Sequence, residues 1–139
     1  VLDTNRKLPS SLKLFNDKKA ETTVLCSENN FKKTKNHFCG YLPVKEKNGS
    51  LSPINVLKTL AEEGITSILI EGGQAVLHSF MLENLIDQIY TYTSPGKLEG
   101  ADLINPLELS EDWSVIREES LGEDNLIISE KGVECLQEL

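Results

Sequence analysis

The segment that most constrains this fold runs from Ser52 to Thr93, where helix and strand signals alternate. Ser52-Pro53 has the form of an N-cap followed by a first-turn proline. Ile54, Leu57, Leu60 and Ala61 follow at helical spacing, and Gly64 supplies a stop. Ile65 to Ile70 is apolar at most positions and ends at Glu71, which predicts a central strand covered on both faces. Gly72-Gly73 breaks that run. Val76, Leu77, Phe80, Met81 and Leu85 then trace one face of a second helix, and the β-branched and aromatic stretch Ile89 to Thr93 predicts a further strand closed by Ser94-Pro95-Gly96. Helix, strand, helix and strand in succession predict an α/β fold, a mostly parallel central sheet flanked by helices.

The flanking segments are read on the same rules. Val1-Leu2-Asp3-Thr4 looks like the tail of a strand running into the polar turn Asn5-Arg6-Lys7, so further sequence is expected upstream. Thr22 to Cys26 predicts a short strand, Ser27 to Asn36 a solvated loop rich in Lys and Asn, and Phe38 to Val44 another strand interrupted by Gly40 and Pro43. Lys45 to Ser50 reads as a loop. Near the end, Trp113–Glu119 and Asn125–Ser129 face each other across Leu121-Gly122-Glu123 and predict an antiparallel β-ribbon. No internal repeat, low-complexity tract or domain boundary interrupts residues 1–139.

Composition narrows the function classes. The 139 residues are 39% hydrophobic and 26% charged, ordinary for a globular domain, with no run of membrane-span length and nothing like a signal peptide, so a cytoplasmic setting is expected. A net charge of -8 argues against nucleic acid as a partner, because that binding is driven by phosphate neutralisation. An anionic ligand would need local N–H groups or cations that oppose the overall field. Cys26, Cys39 and Cys135 have neither CxxC spacing nor an accompanying His cluster, which argues against a metal and for free thiols.

The chemistry-bearing constellation is Ile68-Leu69-Ile70-Glu71-Gly72-Gly73-Gln74-Ala75, an apolar run feeding two glycines and then a helix. First-turn N–H groups lack intrahelical partners and carry the positive end of the helix dipole, and glycines let a phosphate come close to them. The ligand group expected there is a phosphate or pyrophosphate. From these residues alone the pair is equally a tight turn without a ligand, and it is not the GxGxxG fingerprint of a Rossmann site. Glu71 could accept hydrogen bonds from a substrate hydroxyl or amine, or serve as an ordinary charge before a helix. His78, one turn into the helix, reads more readily as a polar-face histidine than as an acid–base group. Thr4 and Arg6 offer a hydroxyl and a guanidinium suited to phosphate, or a plain polar turn.

Taken in order, these pieces resemble one family. Val1-Leu2-Asp3-Thr4, the helix with Leu57 and Leu60, and Ile70-Glu71-Gly72-Gly73 look like the reductase domain of the bifunctional riboflavin-biosynthesis deaminase/reductase. The likeness continues through Ser79-Phe80-Met81, Leu85-Ile86-Asp87, Ser94-Pro95 to Gly100, and Leu121-Gly122-Glu123-Asp124. Two departures are visible: Asp87 is followed by Gln88 where the family usually has an acidic residue, and Gly96-Lys97-Leu98-Glu99 is more polar than the usual loop.

The resemblance implies a dihydrofolate-reductase-like fold ending in an antiparallel ribbon, with NADPH as cofactor and a pyrimidine ribosyl phosphate as substrate. The reaction implied is reduction of the ribosyl group of 5-amino-6-(5-phosphoribosylamino)uracil to a ribityl group. Matched by position, Glu71 falls on a substrate contact, Gly73 through Ser79 (Gln74, Ala75, Val76, Leu77 and His78 between them) on the NADPH turn and helix start, and Thr4 on a further cofactor contact. From the residues themselves, Gly72 belongs to the same turn, and Thr4 with Arg6 is the expected seat for the 2′-phosphate, a hydroxyl beside a guanidinium. The family's upstream strand and zinc deaminase half have no counterpart in these residues, so the chain is expected to be the C-terminal portion of the reductase domain, working as a homo-oligomer, a dimer. The rivals are another reductase of the same fold acting on a pterin-like substrate, and a non-catalytic assembly module pairing through the Tyr90/Tyr92 strand.

Overall fold

In the computed structural model, residues 1–96, 99, 100, 105 and 109–132 are described. The chain divides into two compact units, Val1–Leu69 and Ile70–Leu139, although no composition shift marks the division. Lys97 and Leu98 of the Gly96–Glu99 loop lie outside the described residues, as does Cys135.

In the first unit, a short helix α1 (Lys13–Asn16) precedes strand β1 (Thr23–Ser27), helix α2 (Glu28–Lys33) and strand β2 (Gly40–Val44). Strands β1 and β2 are parallel, with Thr23 opposite Gly40 and Ser27 opposite Val44. Leu2 adds an isolated parallel bridge to Leu25 on the other side of β1. Parallel neighbours need a crossover, and α2 supplies it. The expected solvated loop at Ser27–Asn36 is therefore a helix in its first half. Its local chemistry explains why: Ser27 Oγ accepts from Asn29 N at 3.2 Å, Glu28 sits in the first turn, and Lys32 and Lys33 in the last, each on the side of the dipole that favours it. Gly40 starts β2 for a steric reason, since a Cβ there would lie 2.8 Å from Thr23 Oγ1. Pro43 is accommodated because, among the described residues, β2 pairs only with β1.

Lys45–Ser50, expected as a loop, forms a small hairpin of β3 (Glu46–Lys47) and β4 (Ser50–Leu51). Asn48 and Gly49 have φ of 54° and 80°, the paired left-handed residues that two-residue hairpin turns demand. Helix α3 (Pro53–Glu62) starts at Ser52 and packs on β2. It ends as the sequence predicts: Gly64 at φ 81° lets Gly64 N donate to Ala61 O at 3.0 Å and Ile65 N to Leu60 O at 3.0 Å, closing the last carbonyls. The unit's core is Val24, Leu25, Cys26, Val44, Leu51 and Val56. Each buried Val or Leu contributes roughly 1.5–3 kcal/mol over its exposed state.

Ile65–Ile70 does not form the expected central strand. Among the described residues no strand pairs with it, and its side chains are mostly exposed, Leu69 at 73%. An apolar run signals what can be buried, but a strand exists only through a ladder that satisfies its N–H and C=O groups.

In the second unit, helix α4 (Gln74–Leu82) is followed by strand β5 (Gln88–Thr93) and the ribbon of β6 (Trp113–Leu121) and β7 (Asp124–Lys131). The three strands form an antiparallel sheet in the order β5-β7-β6, with Tyr90 opposite Ile128 and Trp113 opposite Lys131. Both the strand at Ile89–Thr93 and the late ribbon agree with the sequence, and Gly122 at φ 70° turns the ribbon. Asn84 plays for α4 the part Gly64 plays for α3: at φ 57°, it donates its N–H to Met81 O at 2.9 Å, and Leu85 N reaches Phe80 O at 3.1 Å. Phe80, Ile89, Leu126, Ile128 and Ser129 are buried.

Candidate functional site

The glycine turn opens α4 in the second unit. Gly73 is the N-cap, with φ -72° and ψ 169°, and no side chain caps the helix. Its carbonyl accepts from Val76 N at 3.0 Å and Leu77 N at 3.3 Å, so the N–H groups of Gln74 and Ala75 open the helix without intrahelical acceptors. Gly72, Gly73, Gln74 and Ala75 are all exposed. The arrangement is an uncapped, accessible dipole terminus able to hold an anion.

The two glycines are required for different reasons. A Cβ on Gly72 would lie 3.0 Å from Val76 Cβ and 3.2 Å from Val76 Cγ1, so Gly72 is demanded by the helix it precedes. A Cβ on Gly73 would meet nothing within 4 Å, and its backbone lies where any residue can sit. No neighbouring atom excludes a side chain at position 73; glycine there suits the N-cap and also leaves the backbone open to a ligand.

The other residues of the turn sort by where they face. His78 is exposed on the same face of α4 as Gln74, while Val76 and Leu77 are half-buried. Ser79 returns its hydroxyl to its own helix, donating to Val76 O at 2.7 Å. Val76, Leu77 and Ser79 are thus engaged within the helix, and the N–H donors left for a ligand at this turn are those of Gln74 and Ala75. Glu71 is exposed just before Gly72 and outside any strand, not at the end of a buried strand as the sequence predicts, because the run before it does not pair.

Beside α4 lies a cleft of about 420 Å³ that the sequence did not foretell. Gln74 and His78 line one wall, with Asn84, Ile86, Trp113 and Lys131 further round. Lys131 Nζ lies 3.2 Å from Asp112 Oδ2 and also donates to Asn84 Oδ1, while Ser110 Oγ bonds the other Asp112 oxygen. The Ser110 hydroxyl first, and then Lys131, hold the Asp112 carboxyl below the usual carboxylate range. The β6–β7 register, with Trp113 opposite Lys131, brings these groups together. That pairing was the one signal available, and it gave no pointer to a cleft.

Thr4 and Arg6 lie in the first unit. The Thr4 carbonyl accepts from Ser27 N at 3.1 Å and Asn30 Nδ2 at 2.9 Å, and its hydroxyl has no hydrogen-bond partner among the described residues. Arg6 is engaged by its own unit: Nη1 donates to Thr34 O at 3.1 Å, Nη2 donates to Asn36 O, and the guanidinium carbon stands 3.9 Å from the Tyr41 ring centroid. Among the described residues no group of three His, Cys, Asp or Glu side chains is placed to hold a metal, and no helix is long and apolar enough to cross a membrane.

The family model of the RibD C-terminal domain matches residues 1–127. The chain belongs to the RibD C-terminal domain family. A riboflavin biosynthesis protein RibD of Aquifex aeolicus (strain VF5) is 32% identical over 133 residues, covering 91% of this chain. The chain spans 36% of that relative's length. Among solved structures, the riboflavin biosynthesis reductase Rib7 of Saccharomyces cerevisiae superposes with a TM-score of 0.71 at 17% identity, over 94% of this chain and 68% of its own. A Thermotoga maritima diaminohydroxyphosphoribosylaminopyrimidine deaminase/5-amino-6-(5-phosphoribosylamino)uracil reductase gives 0.64 at 22% identity, over 94% of this chain and 36% of its own. At those identities the structures speak for the fold. It is the dihydrofolate-reductase-like α/β fold of these reductases, as the resemblance implies.

Proposed function

We propose that this chain is the C-terminal portion of the reductase domain of a riboflavin-biosynthesis enzyme that reduces 5-amino-6-(5-phosphoribosylamino)uracil to its ribitylamino product with NADPH. The observation that carries the reading is Gly73: an exposed helix terminus without a side-chain cap in a RibD C-terminal domain, with a glycine that no neighbouring atom requires. The turn fits a dinucleotide pyrophosphate. The N–H groups of Gln74 and Ala75 supply donors, the α4 dipole supplies positive potential in a chain of net charge -8, and Gly73 keeps the approach clear.

The nicotinamide, when bound, supplies the hydride that reduces C1′ of the ribosyl group. The chain's own part is to bind and orient, since a cofactor enzyme spends its protein on position and exclusion of water. Glu71, exposed immediately before the turn, is assigned to orient the substrate by accepting hydrogen bonds from its hydroxyl or amine groups. Thr4, whose hydroxyl has no partner among the described residues, is assigned as a further cofactor contact. The natural full-length protein should consume one NADPH per ribitylamino product formed; a folded full-length protein that binds no NADPH would remove this reading. The pterin-reductase and assembly-module alternatives have no specific observation in their favour.

A further inference from the structure

Arg6 looks like the phosphate-binding group of the first turn, yet both of its terminal nitrogens are already committed within its own unit. Nη1 and Nη2 donate to the carbonyls of Thr34 and Asn36, in the connection between α2 and β2, and the guanidinium face covers Tyr41. Nε is buried and makes no hydrogen bond. Tyr41 is in turn braced edge-on by His37 and Phe38, at 5.0 and 5.7 Å between ring centroids. The Arg6 backbone is itself unusual, at φ 52°, a region that a residue with a long side chain seldom occupies unless its surroundings hold it there.

The turn that Arg6 ends is fixed from every side except one. Asp3 accepts from Lys7 N at 3.0 Å and Leu8 N at 2.8 Å, and Arg6 N donates to Asp3 O at 3.1 Å. The Thr4 carbonyl is held by β1 and α2 through Ser27 and Asn30. The Thr4 hydroxyl has no hydrogen-bond partner among the described residues; it lies two residues past the Leu2–Leu25 bridge, at the carboxyl end of the parallel strands, the end where open α/β sheets take ligands.

We infer that Arg6 is a positioning residue: its fork locks the Asp3–Leu8 turn to the α2–β2 connection so that the Thr4 hydroxyl is presented to the cofactor, and Arg6 itself does not read the 2′-phosphate. The inference rests on the proposed NADPH function. It differs in outcome from a direct phosphate contact. An arginine that reads the 2′-phosphate discriminates NADPH from NADH, whereas an arginine that holds a turn affects both. Lysine is no substitute in the second role, because a single mobile ammonium cannot bridge two carbonyls and lie flat on a ring.

The test is a double-mutant cycle in the natural full-length protein, with Arg6→Lys, Thr4→Val and the pair, titrated with NADPH and NADH. Arg6→Lys should weaken both nucleotides by a similar factor, on the order of tenfold, and in the Thr4→Val background it should cost little more, because it acts through Thr4. Its NADPH affinity should keep the wild-type dependence on salt. Loss of NADPH alone, a flattened salt dependence, or additive losses would each overturn the inference in favour of direct contact. Unchanged binding of both nucleotides by Arg6→Lys would overturn it in favour of a purely structural arginine. Wild type that binds neither nucleotide would remove the functional reading and this inference together, an outcome distinct from binding with an additive cycle.

Discussion

Replacing Gly73 by valine separates ligand from fold more cleanly than any other change here. The N-cap backbone at φ -72° and ψ 169° is extended, which a β-branched residue adopts freely, and the new Cβ meets nothing within 4 Å. Valine is a poorer N-cap than glycine, a loss of up to about 1 kcal/mol, partly offset by the roughly 0.4–1 kcal/mol that removing a glycine gains from the unfolded chain. Net stability should therefore stay within about 1 kcal/mol of wild type. The two methyl groups, however, stand where the proposed pyrophosphate site has its ligand approach the N–H groups of Gln74 and Ala75. We expect NADPH to bind at least tenfold more weakly, about 1.4 kcal/mol. Calorimetric titration of the full-length protein measures the affinity, and a thermal melt measures the fold. A folded Gly73→Val protein with wild-type NADPH affinity would refute the reasoning. Gly72→Val is the control, because there the added atoms press on Val76 and stability should fall as well.

Glu71→Gln should leave stability within roughly 1 kcal/mol, since the side chain is exposed, and lower kcat/KM for the phosphoribosyl substrate while NADPH affinity holds; a collapsed melting temperature with unchanged turnover would make Glu71 structural. Gly64→Ala should destabilise by about 1 kcal/mol, read by denaturant titration, because alanine is strained at φ 81° in the turn that ends α3. Burial, opposed by nearby Arg6 and reinforced by Asp3, pushes the Cys26 thiol above its ordinary value of 9.0. The folded state therefore holds that proton more tightly than the unfolded one. Its contribution to stability is complete below pH 9.0 and is lost as pH rises through the folded-state value, so Cys26→Ala should flatten the alkaline limb of the stability profile relative to wild type.

What the sequence made legible was whatever rests on local chemistry. Ser52-Pro53 and Gly64 delimit α3 because caps, a first-turn proline and a left-handed glycine act within a few residues of themselves. The turn at Gly122 and the flanking alternation made the β6–β7 ribbon readable for the same reason. Local signals were also present but underweighted at Ser27-Glu28, a capped helix start inside a polar stretch, and at Asn48-Gly49, a hairpin turn between two-residue strands. The Ile65–Ile70 run misled because strand formation is a property of a pair, and hydrophobicity in one segment does not reveal its partner. The site divides the same way. Gly72-Gly73 was visible as a strand-to-helix break, and its helix half is real. That Gly72 serves Val76 while Gly73 serves no internal contact needed coordinates, as did the commitment of the Arg6 guanidinium to carbonyls 28 and 30 residues away.

The proposed function turns on hydride transfer from the nicotinamide to the ribosyl carbon. The most direct measurement is mass analysis of the product made by the full-length protein from 5-amino-6-(5-phosphoribosylamino)uracil and NADPH carrying deuterium on either face of nicotinamide C4. The expected outcome is a ribitylamino product with one deuterium at C1′ from one labelled face and none from the other. Product with no deuterium from either label, or substrate recovered unchanged beside intact NADPH, would contradict it.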